Sequence, residues 1–150
     1  MTLFPNFGKI DTMKHWIVVP LAVACSLGIR LQAQQPRGYH AASKALKPDT
    51  TFENVLVRRL FSNEEASGFV IWVKQGVALH KHLSHSETVS ILEGRGRMRL
   101  GEETITVRKG DIIFIPKGTP HSVKVEGKPL KVLSLQAPMF DGTDRVPLTE

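Results

Sequence analysis

Cysteine is nearly absent from this sequence: Cys25 is the only one in 150 residues. A mature chain starting near Gln34 holds none, which excludes disulfide staples and thiolate chemistry from it. Its core, helped by a metal or a second subunit, must hold it together without cross-links. Like charges never gather into a block of about five or six. The formal net charge is +6, and removing residues 1–33 takes away Lys9, Lys14, Arg30 and Asp11, leaving 17 basic against 13 acidic residues, or +4. An excess so modest and dispersed reads as a solvated basic surface and excludes a nucleic-acid interface. A helical stripe of useful length is missing too. The longest apolar run, Trp16 to Ile29, has fourteen residues. As a helix it would reach roughly 21 Å at about 1.5 Å per residue, short of the ~30 Å hydrocarbon core, so no stable membrane span is expected.

That run has the pattern of a signal peptide instead. Lys14 and His15 give it a basic start, and Leu31-Gln32-Ala33 ends on the small residue that signal peptidases favour. Pro20 sits mid-run, where it would cost a helix of a soluble domain about 3 kcal/mol. Residues 1–33 are therefore expected to be an export signal, with Met13 as the true start, and the mature chain to be periplasmic or secreted. The stretch ending at Cys25 resembles a lipoprotein box, but Ala22 stands where leucine is usual, which favours an unlipidated product.

Composition, at 41% hydrophobic and 23% charged, fits one globular domain. Residues 34–51, with Pro36, Gly38 and Pro48 and no apolar period, read as a linker or an arm lying on that domain, and residues 141–150 as a C-terminal tail. Between them, short runs rich in Val, Ile, Leu and Phe alternate with Gly, Pro and Asn every eight to twelve residues, the pattern of an all-β sandwich or barrel. Strands are predicted at 54–61, 67–74, 78–82, 87–93, 96–100, 103–108, 111–115, 121–126 and 130–136. Gly110, in the turn Arg108–Asp111, is placed where a positive φ costs least. Alternation in 96–100 puts Met98 and Leu100 on one face and Arg97 and Arg99 on the other, which reads as solvent.

Three histidines and one glutamate, His80, His82, His85 and Glu87, fall within eight positions. His80 and His82 are two apart on a predicted strand, so both side chains leave the same face. Glu87 begins the next strand, and antiparallel pairing is expected to bring it beside them. His121 follows Pro116, Gly118 and Pro120, a stiff turn that sets the start of its strand. Imidazoles suit Fe, Ni, Cu and Zn, and a carboxylate oxygen broadens the site towards Mn. Three neutral imidazoles and one carboxylate leave a divalent ion with net +1 and, if six-coordinate, two adjacent open positions. His85 falls outside the set and reads as a rim or supporting residue.

These residues resemble the two motifs of the cupins. The first is matched by Gly76, His80, His82, Glu87 and Gly94, the second by Gly110, Pro116, Gly118 and His121. Two departures stand out: three residues separate Gly76 from His80 where five are usual, and Val125 replaces a terminal Asn. The matched stretch runs over 46 residues, Gly76 to His121, and with its flanking strands the likeness extends over 52–140. The resemblance implies a double-stranded β-helix, or jelly roll, with one divalent metal, Mn or Fe first and Ni, Zn or Cu next, held by His80, His82, Glu87 and His121. It also implies a homodimer.

Two functions follow from the resemblance. One is a metal-dependent enzyme of oxygenase or related type on a small molecule, with Glu87 doubling as catalytic base. The other is a non-catalytic module that binds a small ligand or metal. The full His/Glu set argues against cupin subgroups that lack the carboxylate, and the absence of a helix-turn-helix segment argues against a transcriptional regulator. Val89, Ile91, Met98, Phe114 and Val123 are expected to line an apolar pocket.

Overall fold

The computed structural model describes residues 38–149; the expected export signal, 1–33, lies outside them. After a short 3-10 turn at Ser43–Ala45, the chain forms ten strands. They are β1 (Val55–Ser62), β2 (Ser67–Val73), β3 (Gly76–His82), β4 (Ser86–Glu93), β5 (Arg95–Leu100), β6 (Glu103–Arg108), β7 (Ile112–Ile115), β8 (His121–Val125), β9 (Leu130–Ala137) and β10 (Arg145–Pro147). Nine of the ten lie within two residues of the predicted runs. The tenth, β10, falls in the segment read as a tail.

The strands form two five-stranded sheets, ordered β1-β2-β9-β4-β7 and β10-β3-β8-β5-β6, and every pairing is antiparallel. This is the jelly roll expected from the sequence. It is dictated by alternation: β4 buries Glu87, Val89 and Ile91 while Ser86, Thr88 and Ser90 face away. Val73, Met98, Val107, Ile115, Leu130 and Val132 fill the space between the sheets. Phe114 corrects an expectation. It is 60% exposed, because β7 buries Ile113 and Ile115 and turns Ile112 and Phe114 outward.

On the other side of the β1-β2-β9-β4-β7 sheet, β2 buries Val70 and Trp72 as well as its inward residues. Arg58 stacks over Trp72 and donates to Lys47 O, and the buried Lys131 donates to Ser43 O at 2.6 Å. Ser43 and Lys47 are thus tied to side chains of Lys131 and Arg58. Glycines with positive φ stand at the turns that need them, Gly110 at +98° and Gly118 at +82°. Gly118 also donates its N–H to His82 O, which ties the turn before β8 to the end of β3.

Candidate metal centre

Strands β3 and β8 are neighbours, and their register sets His80 directly opposite His121. The register shifts between Val77 and His80, so the short Gly76–His80 spacing falls at an irregularity in the ladder. His82, two residues on, lies on the same face as His80. All three rings are buried, with centroids 4.1 Å apart for His80–His121, 5.2 Å for His80–His82 and 5.3 Å for His82–His121. One nitrogen from each lies within 4.8 Å of the others.

Glu87 reaches this group by a route other than the expected one. β3 and β4 do not pair; Glu87 stands on the opposite sheet, between Ile115 of β7 and Gln136 of β9, and faces the histidines across the interior. Its Oε2 lies 3.4 Å from His121 Nε2 and 3.7 Å from His82 Nε2. Its Oε1 accepts from Ser134 Oγ at 2.5 Å, and Ser134 Oγ accepts in turn from Gln136 Nε2 at 3.4 Å.

Backbone carbonyls fix two of the ring tautomers. His80 Nδ1 lies 2.8 Å from Ala78 O and His121 Nδ1 lies 3.0 Å from Thr119 O. A carbonyl only accepts, so each Nδ1 carries the proton and each neutral ring keeps a bare Nε2. His121 Nε2 is buried without a hydrogen-bond partner and faces a carboxylate oxygen. Two acceptors at that distance repel unless a cation or a proton lies between them. Burial, together with the neighbouring His121, lowers the His80 pKa to about 4, so the ring stays neutral at pH 7. Burial pushes the Glu87 carboxyl up, but hydrogen bonds from Ser134 and, where a proton lies between the rings and Oε2, from His121 and His82 hold it well below the usual carboxylate range; a metal ion there takes the place of that proton. Bare imidazole nitrogens converging on an ionised carboxylate fit a divalent transition metal.

His85, read as a rim or supporting residue, is 1% exposed and so does not stand on a rim. Its Nδ1 lies 2.5 Å from Asp144 Oδ2, and its ring sits 4.1 Å from that of His82. Asp144 accepts the N–H groups of Leu83 and Ser84 on Oδ1 and that of His85 on Oδ2. Sequence reasoning missed Asp144, which stands just before β10, a three-residue strand that carries no periodic signal. Ser134 and Gln136 were detectable: Leu130, Val132, Ser134 and Gln136 alternate on one face of β9, and two polar residues on an inward face require a reason.

The centre opens on a cavity of about 320 Å³ between the sheets. Its wall is mostly apolar, with Val73, Val89, Ile91, Met98 and Val123 contributing, and His80, His82, Glu87 and His121 all border it.

A sequence profile of the cupin domain matches residues 69–136. An uncharacterised protein of Methanocaldococcus jannaschii is 37% identical over 111 residues, covering 66% of this chain and 86% of that protein. The chain belongs to the cupin family. A second relative of this cupin, an uncharacterised protein of Aquifex aeolicus, is 31% identical over 94 residues, covering 63% of this chain and 78% of that protein. A solved structure from Thermus thermophilus superposes on the cupin with a TM-score of 0.62 at 24% identity, covering 69% of this chain and all of the other, and that likeness speaks for the fold alone. The profile match spans all four predicted ligands of this cupin, whereas Asp144 and Arg145 lie beyond its end.

Proposed function

We propose that this chain is an exported cupin that holds one divalent transition metal through His80, His82, His121 and Glu87 and acts as a metal-dependent enzyme, of oxygenase or related type, on a small molecule. The observation that carries the reading is the convergence of inward-facing imidazoles and an ionised carboxylate at the wall of a largely apolar cavity. A binding module needs only the cavity. An ionised acid at the same point adds a group that can move a proton.

A divalent metal bound there supplies Lewis-acid polarisation or a platform for dioxygen. The residues do the rest. His80 and His121, each tied to its backbone carbonyl, fix the direction of their Nε2 lone pairs. Ser134 holds Glu87 Oε1 and leaves Oε2 towards the imidazoles, the oxygen that would hold the metal and, on loosening from it, take a proton from a substrate group. A carboxylate this acidic is a weak base, so it serves substrates whose proton is already activated at the centre. The apolar wall excludes water and strengthens each of these interactions.

The test is oxygen uptake or product formation by the purified protein with and without Mn or Fe. Activity that requires metal, and that disappears in Glu87→Gln while metal occupancy persists, supports the enzyme. Ligand binding without turnover moves the reading to the non-catalytic module.

Export to the periplasm or beyond rests on the pattern of residues 14–33. Assembly as a homodimer belongs to the same proposal. In its support, Phe114, Thr88 and Leu135 lie in one row across β7, β4 and β9, next to Ile112, and Phe114, Leu135 and Ile112 are exposed.

A further inference from the structure

We infer that the cavity takes a small organic anion with an apolar body and a hydroxyl or N–H donor, its anionic group held by Arg145 and its donor received by Gln136. This rests on the proposal that the cavity is the ligand site, and it names the class of ligand.

Arg145 is the only cationic side chain among the described residues that border the cavity, apart from the histidines. β10 pairs with β3 so that Arg145 stands opposite His82. Cross-strand partners share a face of the sheet, so the guanidinium leaves on the same side as the ligand histidines. Among the described residues no carboxylate pairs with it. Asp144, its neighbour in sequence, is engaged with the backbone of Leu83, Ser84 and His85, and Glu87, on the same cavity, with Ser134. Arg145 is exposed and borders the cavity, so a charged head held there would stay in contact with water while its body enters the apolar interior.

Gln136 supplies the second, independent observation. It is 7% exposed, it borders the cavity, and its Oε1 is buried without a partner. The hydrogen-bond chain fixes which way the amide points. Ser134 donates its single proton to Glu87, so towards Gln136 it can only accept, and Nε2 must face Ser134. That leaves Oε1 as the free end. A buried unpaired acceptor is costly, and a donor on the ligand relieves the cost. Charge points the same way: a divalent ion with Glu87 carries net +1, and Arg145 adds another, within low-dielectric walls that strongly favour an anion.

The test measures dissociation constants by calorimetry for matched probes on the metal-loaded protein: 3-hydroxybenzoate, benzoate, which lacks the donor, and 3-hydroxybenzamide, which lacks the charge. Hydroxybenzoate is expected to bind more tightly than either. Arg145→Gln should lower the preference for the acid over the amide by about tenfold to a hundredfold, and Arg145→Lys should restore most of it. Gln136→Leu should bring hydroxybenzoate to the level of benzoate; as a ratio of two ligands, this readout cancels any effect on the metal. An acid-to-amide ratio unchanged in Arg145→Gln overturns the inference, as does failure of every probe to bind. Metal content is measured in the same samples. Protein that takes up no metal sinks the proposed function instead, and Arg145→Gln that retains its metal and its circular dichroism spectrum shows that a lost preference is not a lost fold.

Discussion

Two groups of buried metal-ligating side chains share His82 and differ in what surrounds them. His80, His82 and His121 converge with Glu87; His82, His85 and Asp144 form a second cluster of equal burial beside it. In the first, carbonyls of the protein take up Nδ1 of His80 and His121, and His121 Nε2 is left without a donor, facing Glu87. In the second, the carboxylate is already satisfied by three backbone N–H groups and lies against His85 Nδ1. Residue type therefore does not identify a metal centre. What separates the two is the carboxylate: Glu87 keeps Oε2 turned to the imidazoles, whereas both oxygens of Asp144 are taken by backbone N–H groups, even though neither nitrogen of His85 has a hydrogen-bond partner. The first cluster is poised to hold an ion, while the second clamps the β3–β4 turn and the C-terminal segment onto the strand that carries the ligands.

The sharpest break in this comparison comes from paired alanine variants. His121→Ala should lose bound metal almost completely, whereas His85→Ala should keep about one ion per chain at the cost of roughly 2–4 kcal/mol of stability from a buried void. Elemental analysis and thermal melts of the two variants check this. Equal metal loss in both would merge the clusters into one.

Next in size is the support given to each carboxylate. Ser134→Ala frees Glu87 Oε1 and should weaken metal affinity about tenfold to a hundredfold, the range seen when partners of ligands are removed. Asp144→Asn should lower the melting temperature by several degrees, as expected for a loss of about 1–3 kcal/mol, and leave metal stoichiometry unchanged. Competition against a chelator and differential scanning calorimetry tell the two apart.

A smaller effect is expected from pH on the metal-free protein. The His80 pKa lies at about 4 in the fold against 6.5 when free, so between those values the unfolded chain binds more protons than the folded one. Stability should fall as pH drops from 6.5 towards 4. Glu87 and Asp144, both depressed in the fold, add to the loss as pH falls through their ordinary values of 4.5 and 3.8. Melts across this range check the slope, which should flatten between pH 6.5 and 4.5 in His80→Gln.

The least disruptive variant is Phe114→Asp on the outer face of β7. It should leave folding and metal content intact and shift the chain from dimer to monomer in light scattering. A monomeric wild type would remove the dimer from the account.

Much of this was legible in the sequence. Period two placed His80 and His82 on one face, and the Pro116–Pro120 turn placed His121 at a strand start, because both depend on local geometry. Glu87 was legible as a candidate by its motif, but its route across the interior was not, since pairing between distant strands leaves no local trace. Phe114 failed for a related reason: alternation separates two faces without saying which is inward. Asp144 and Arg145 were hidden because β10 is an edge strand of three residues, recognisable only by the partner it pairs with.

The central claim, that one ion sits among His80, His82, His121 and Glu87, is tested most directly by counting metal. Purified wild type and the His80→Ala/His121→Ala double variant would be incubated with Mn, Fe, Ni, Zn or Cu, freed of loose metal and analysed for metal per chain. About one tightly held ion in the wild type and none in a double variant with unchanged circular dichroism is the predicted result. Equal metal in both, or none in the wild type with any of the five, would contradict it.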